Sequence, residues 1–186
     1  EAEAVVIALE GAFDRLGRRE ERYLWKSMAR RDILSALRER GVVDTEPPGV
    51  PLYDLLSEAK DVGLLVLNAV ESEPYLRAEA CMLAQRQSEV AEGLAIIRKV
   101  LSPARTVVAV EAGARSGLAG LREGLSAAFD RGPAQDGSWK VEIAELEPRY
   151  PQDLPGQLLE AIEGSRSRSA EDLLIVRPST ALAAYE

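Results

Sequence analysis

The chain alternates short continuous apolar runs with stretches in which apolar residues recur at helical spacing. Residues 63–69, 106–111 and 172–176 are apolar runs, and residues 139–143 alternate between apolar and polar side chains. Continuous runs are typical of strands that are covered on both faces, whereas alternation is typical of a more peripheral strand. The pattern therefore predicts four strands.

Between these runs, apolar residues recur every three or four positions, as they do on one face of an amphipathic helix. One stripe covers residues 90–101, and a second covers 118–129. Strands that alternate with helices favour a parallel sheet. We therefore predict an α/β fold: a mostly parallel four-stranded sheet with helices on both faces, preceded by a short N-terminal strand at 4–10 and a helix that ends at Gly41.

Composition excludes several classes of function. The 186 residues include 31 acidic and 23 basic side chains, and this net charge of −8 disfavours nucleic acid as a partner because polyanions are bound through basic surfaces. The sequence has no histidine and one cysteine, Cys81, so it holds neither a His-activated nucleophile nor a Cys-rich metal site. No apolar run approaches the ~20 residues that span a bilayer. We expect a cytoplasmic protein and, because the sequence starts at Glu1, a piece of a longer chain.

Polar residues follow each predicted strand, and in parallel sheets ligands bind at the carboxyl ends of the strands. The stretches to consider are 68–75, 111–113, 148–155 and 177–180. Within the first, Asn68, Glu71 and Glu73 are suited to line a ligand pocket with hydrogen-bond acceptors. From the residues alone, the favoured interpretation is a polar turn after the strand, in which Pro74 begins the next helix.

Residues 68–79 read NAVESEPYLRAE directly after a predicted buried strand. This segment resembles the NxAExEPY signature of the RnfC subunit of Rnf electron-transport complexes, a relative of which occurs in the flavin-binding 51-kDa subunit of respiratory complex I. Other segments resemble the same family in the same order, among them RDILSALRERGVV (31–43), ARTVVAVEAG (104–113) and DLLIVRPSTALAAYE (172–186). The resemblance extends over essentially the whole chain.

The resemblance implies a Rossmann-like flavin domain that relays electrons between a nicotinamide donor, NADH, and iron–sulfur or membrane partners. It implies FMN as the cofactor, with Asn68, Glu71, Glu73, Tyr75 and Gly49 as cofactor-binding residues and no catalytic or metal-binding residue in this chain. Iron–sulfur centres would lie outside this sequence. The implied partners are other subunits of a redox complex at the cytoplasmic face of the membrane.

Two stretches depart from the family's pattern. Where the family carries a glycine-rich FMN loop of the type GxGGAGFPT, this chain has GVVDTEPPGVP at 41–51. A phosphate cradle needs close backbone approach and free N–H groups, whereas the prolines at 47–48 have no N–H, and Asp44 and Glu46 add negative charge. The second departure is QDLPG at 152–156, where the family has a GGEK-like turn.

The resemblance divides the chain into the end of a preceding barrel-like segment (1–14), a basic helix with the altered flavin loop (15–60) and a Rossmann-like core (61–186). Two hypotheses follow. In the first, the chain is an electron-transfer domain and, if active, part of an NADH-type oxidoreductase. In the second, it is a structural or assembly module that keeps the fold and a surface for partner subunits but binds no flavin.

Overall fold

The computed structural model describes residues 24–45, 49–113, 115–129, 141–164 and 172–186. Its helices are α1 (Arg30–Glu39), α2 (Leu52–Glu58), α3 (Ala78–Gln85), α4 (Gln87–Leu101), α5 (Arg115–Phe129), α6 (Pro155–Glu163) and α7 (Pro178–Tyr185). Its strands are β1 (Leu64–Ala69), β2 (Arg105–Glu111), β3 (Val141–Leu146) and β4 (Leu173–Val176). The four strands predicted between residues 63 and 176 are present, while the strand predicted at 4–10 lies outside the described residues.

The strands form one sheet in the order β3-β2-β1-β4, and every neighbouring pair is parallel. The predicted parallel α/β fold is confirmed. Strand β1 lies in the interior of the sheet and is buried along its whole length, whereas only Leu146 is buried in the edge strand β3. Strand β4 also has a continuous apolar run although it is the other edge strand, so such a run reflects cover on both faces of a strand.

The two faces of the sheet are covered unequally. On one face, Leu65 and Leu67 of β1 belong to a large core that also contains residues of α1 to α5 and α7. On the other face, Leu64 and Val66 pack with Leu158 of α6 in a smaller core. Helices cover both faces, as predicted, and all four carboxyl ends of the strands meet at one edge of the sheet.

Helices α4 and α7 pack in direct backbone contact at Gly93. The carbonyl group of Ala181 in α7 lies where a Cβ atom at position 93 would stand. Both residues are buried, so neither helix can shift toward solvent without opening the core. Glycine is required at position 93 because a side chain there would push α7 away from α4 and displace the residues that follow β4.

Residues 24–30, at and before the start of α1, pack onto the core. Trp25 Nε1 donates to a carboxylate oxygen of Glu92 at 3.1 Å, and Lys26 forms an ion pair with the same carboxylate at 3.3 Å. Arg30 donates to backbone carbonyl groups of α4 and α2 at 2.9 and 3.0 Å. This stretch is therefore integral to the fold.

We expect Gly93→Ala to lower the free energy of unfolding by about 3 kcal/mol, because the added methyl group overlaps the backbone of α7. The matched control is Gly156→Ala in α6, where an added Cβ has no atom within 4 Å. That substitution should raise stability by about 0.5 kcal/mol, because alanine is the better helix former. Chemical denaturation of both variants measures the difference, and equal effects would contradict the close contact between α4 and α7.

Candidate functional site

The carboxyl ends of β1 and β2 border a cavity of about 380 Å³, which we call the edge cavity. It is lined by Ala69, Glu71, Tyr75, Leu76, Arg77, Ala80, Leu83, Val110, Glu111, Ala112, Gly113, Leu121 and Tyr150. Its volume is at the lower end of the range for small-molecule sites. Its place, just beyond the ends of parallel strands, is the one at which α/β proteins bind ligands.

Glu71 is the most deeply buried charged residue of the edge cavity, at 4% exposed. Its Oε1 accepts a hydrogen bond of 3.1 Å from the backbone N–H of Ala80, in the first turn of α3. A carboxylate is favourable there because the first turn of a helix has unpaired N–H groups and a positive dipole end. The second oxygen, Oε2, forms no hydrogen bond with the part of the chain that the structure describes, which leaves it available to a ligand.

Glu111 and Tyr150 meet on the opposite side of the edge cavity. Tyr150 Oη donates to Glu111 Oε1 at 3.3 Å. The pKa of Tyr150 is raised, first because partial burial disfavours the phenolate and then because the Glu111 carboxylate repels it. Tyr150 therefore remains a hydrogen-bond donor at neutral pH. Among the described residues that line the cavity, two are acidic, Glu71 and Glu111, and one is basic, Arg77.

A polar network joins the ends of β1 and β4. Asn68 Nδ2 donates to the backbone oxygen of Asp153 at 3.1 Å, and Asn68 Oδ1 accepts from the Val70 N–H at 3.2 Å. Arg177 forms an ion pair of 3.0 Å with the Asp153 carboxylate and donates to the Val70 carbonyl at 3.1 Å. The strand order reverses at this point, because β2 and β3 follow on one side of β1 and β4 lies on the other, which makes the gap between β1 and β4 a common ligand site. Here that gap holds the protein's own side chains.

The loop between α1 and α2 folds back on itself. Val43 and Pro51 form an antiparallel bridge, and the Asp44 N–H donates to the Val50 carbonyl at 2.8 Å. Gly49, near this bridge, has a φ of 79°, a left-handed conformation that favours glycine.

The same loop is fastened to the start of α7. Asp44, which is 7% exposed, accepts a hydrogen bond of 2.7 Å from the hydroxyl of Thr180. The Thr45 N–H donates to that hydroxyl at 3.1 Å, and the Thr45 hydroxyl lies 2.7 Å from that of Ser179. We call this set of contacts the Asp44–Thr180 clasp. The clasp engages the N–H group of Thr45, and the N–H group of Asp44 is bonded to the Val50 carbonyl within the loop.

Tyr75 lies in a strained turn at the mouth of the edge cavity. The Leu76 N–H donates to the Glu73 carbonyl at 3.3 Å, and Pro74 and Tyr75 occupy the two central positions. Tyr75 has a φ of 72°, at a turn position that normally requires glycine or asparagine. Its side chain is 99% exposed. Tyr75 therefore combines a solvent-exposed aromatic ring with a backbone conformation that is unfavourable for any residue with a bulky side chain.

Four of the five residues predicted to bind a cofactor lie in three places. Glu71 and Tyr75 line the edge cavity, Asn68 belongs to the network between β1 and β4, and Gly49 lies in the clasped loop. Glu73 is exposed and does not line the cavity. Their roles toward a cofactor stay predictions.

Three further residues of the cavity were not singled out as binding residues: Arg77, Glu111 and Tyr150. The signal for two of them was present, because Glu111 and Tyr150 both lie in stretches that follow a predicted strand. Arg77 immediately precedes α3 and follows the turn at Tyr75. No local sequence pattern predicts that turn.

Comparison with known proteins identifies related sequences. The sequence model of the Nuo51 FMN-binding domain matches residues 37–176. One subunit of the proton-translocating ferredoxin:NAD(+) oxidoreductase complex of Clostridium ljungdahlii is 27% identical over 142 residues, which are 75% of this chain and 29% of that protein. One subunit of the ion-translocating oxidoreductase complex of Pasteurella multocida is 31% identical over 117 residues, 63% of this chain and 13% of that protein.

A solved structure shares the fold. A chain of an NAD+-reducing NiFe hydrogenase in the H2-reduced state superposes with a TM-score of 0.68 at 18% sequence identity. The match covers 84% of this chain and 30% of that chain. The chain therefore spans less than a third of the length of these proteins.

We expect Tyr75→Gly to be more stable than Tyr75→Ala by about 1 kcal/mol, because only glycine adopts the left-handed conformation without strain. Both substitutions remove the ring, so the difference between them isolates the backbone. Thermal or chemical unfolding measures it, and an alanine variant as stable as the glycine variant would show that the turn is unstrained.

We expect Asp44→Ala and Thr180→Val each to lower the free energy of unfolding by about 2 kcal/mol, since each leaves a hydrogen-bond partner of the clasp unpaired. The double variant should cost clearly less than the sum, because both changes remove the same hydrogen bond. Ser179→Ala, at the exposed end of the clasp, should cost about 0.5 kcal/mol. Additive losses in the double variant would contradict a direct bond between Asp44 and Thr180.

Proposed function

Since the chain belongs to the Nuo51 FMN-binding domain family, we propose that it is a domain of an electron-transfer subunit that relays electrons between a nicotinamide donor and iron–sulfur or membrane partners. Two relatives are named as subunits of ion-translocating or ferredoxin:NAD(+) oxidoreductase complexes, which supports this process. Iron–sulfur ligation falls to other parts of such a complex, because this sequence has one cysteine.

Within that subunit, we infer that this domain supplies the fold and a surface for partner subunits, and does not hold FMN through the loop after α1. The observation that carries this inference is the Asp44–Thr180 clasp. A phosphate-binding loop needs free backbone N–H groups, but those of Asp44 and Thr45 are used within the protein. The buried Asp44 carboxylate would also repel a phosphate at this position. Asp44 and Thr45 therefore do not fit the phosphate of FMN.

A second candidate is a domain that still binds a flavin or nicotinamide ring in the edge cavity. The observation that favours it is the placement of Glu71 and Tyr75, two of the predicted binding residues, on the cavity wall. The apolar side chains of Leu83, Val110 and Leu121 would offer a planar ring a surface to pack on. This candidate needs no phosphate cradle in the clasped loop.

The proposed location is the cytoplasmic face of a membrane, reached through partner subunits. Within the described residues, no helix combines the length and apolar character needed to cross a bilayer. Attachment would therefore depend on the proteins to which this domain binds.

The test is a titration of the purified chain with FMN and, in parallel, with riboflavin, which lacks the phosphate. Flavin absorbance and fluorescence quenching report binding. We expect millimolar FMN to leave the flavin fluorescence unchanged. Micromolar binding of FMN but not of riboflavin would overturn the inference, because it would require a working phosphate site. Equal binding of both flavins would favour the second candidate, and Glu71→Gln should then weaken it.

A further inference from the structure

We propose that the edge cavity is a docking pocket for a basic side chain, arginine or lysine, that a partner protein inserts between Glu71 and Glu111. The proposal rests on the proposed function, in which this domain docks partner subunits, and it names the chemistry of the partner. Charge, burial and the exposed rim of the cavity each contribute to it.

The charge of the cavity favours a cation. Glu71 is more than nine-tenths buried, and only one of its two oxygens is bonded to the described part of the chain. Glu111 adds a second carboxylate, against the single guanidinium of Arg77 among the described lining residues. A buried carboxylate that lacks a counter-charge is costly, and a cation from outside would offset that cost. An anionic ligand that carries phosphates would meet repulsion instead.

The rim of the cavity has the character of a protein interface. Tyr75, Leu76 and Tyr150 border it and are 99%, 46% and 42% exposed. Exposed aromatic residues beside a pocket are typical anchors of protein–protein contacts. Tyrosine rings also attract guanidinium and ammonium groups through their electron-rich faces. The rim therefore suits the apolar stem and the charged head of the same side chain.

The strained turn supports a binding role for Tyr75. Its ring makes no hydrogen bond within the described part of the chain and is almost fully exposed, so it does not stabilise the fold from that position. Strain without an intramolecular benefit is typical of positions held for binding. The turn also fixes the ring at the mouth of the cavity before a partner arrives, which lowers the entropic cost of docking.

The test uses the whole 186-residue chain and two blocked tripeptides, acetyl-Gly-Arg-Gly-amide and the same peptide with citrulline. Citrulline has nearly the shape of arginine but no charge. Amide chemical shifts of the protein, followed by NMR during the titration, give the affinity and the binding site. We expect the arginine peptide to bind at the edge cavity about tenfold more tightly than the citrulline peptide. Added salt should weaken the arginine peptide only.

Four variants locate the site. Glu71→Gln removes the charge but keeps an oxygen that can accept from the Ala80 N–H. Glu111→Gln removes the other charge and leaves this contact to α3 intact. Each substitution should weaken binding of the arginine peptide about fivefold. Tyr75→Gly keeps the turn and should weaken it about threefold. The matched control is Glu160→Gln, an exposed residue of α6 on the other face of the sheet, which should have no effect.

Several results would overturn the proposal: equal binding of the two peptides, equal effects of Glu71→Gln and Glu160→Gln, or no shifts at the cavity at tens of millimolar peptide. Displacement of the arginine peptide by micromolar NADH or FMN would also overturn it, because the cavity would then be a nucleotide site. The two proposals fail separately. The proposed function fails if FMN binds through the clasped loop, whereas this proposal fails if the arginine peptide does not bind at Glu71 and Glu111.

Discussion

Coverage of both faces of a parallel sheet is the constraint on which the rest of the structure depends. Strand β1 is buried along its whole length, with Leu65 and Leu67 against one set of helices and Leu64 and Val66 against α6. A charged side chain in such a strand would be buried without water, so polar residues are favoured at and beyond the ends of the strand. Because all four strands are parallel, those residues meet at one edge.

At that edge, the protein satisfies several polar groups from within. The first turn of α3 is bonded to the Glu71 carboxylate, and the start of α7 is bonded to Asp44. Helix starts of this kind are where α/β proteins commonly hold the phosphate of a ligand. In this chain, a carboxylate of the protein stands near the start of each of these two helices. The ion pair between Arg177 and Asp153 fills the gap between β1 and β4 in the same way. What stays open is the edge cavity, whose carboxylates favour a cation.

The sheet could be predicted from the sequence because its signal is local. A continuous apolar run predicts cover on both faces, and the alternation near Val141 predicts a peripheral strand, which is the edge strand β3. The run in β4 does not reveal that this strand forms the other edge. The family could be predicted because the segment 68–79 is compact and distinctive, and the match to residues 37–176 confirms it.

The site was less predictable because its contacts join distant parts of the chain. Asp44 and Thr180 are separated by 136 positions, and no local pattern pairs them. Glu71 and Glu73 are two residues apart and of the same type, yet the first is buried against α3 and the second is exposed, a difference that residue type and spacing do not predict. The sequence shows the negative charge of Asp44 in the loop. That this carboxylate is bonded to Thr180 of α7 follows only from the fold.

The most direct test of the account is hydrogen exchange at the backbone amides of Asp44 and Thr45, measured by NMR in the natural chain and in Thr180→Val. If the Asp44 N–H is bonded to Val50 and the Thr45 N–H to Thr180, the two amides exchange slowly in the natural chain, and the amide of Thr45 becomes markedly faster in the variant. Exchange of both amides in the natural chain at the rate of an unstructured peptide would contradict the account, because the loop would then be open and its N–H groups free to hold a phosphate.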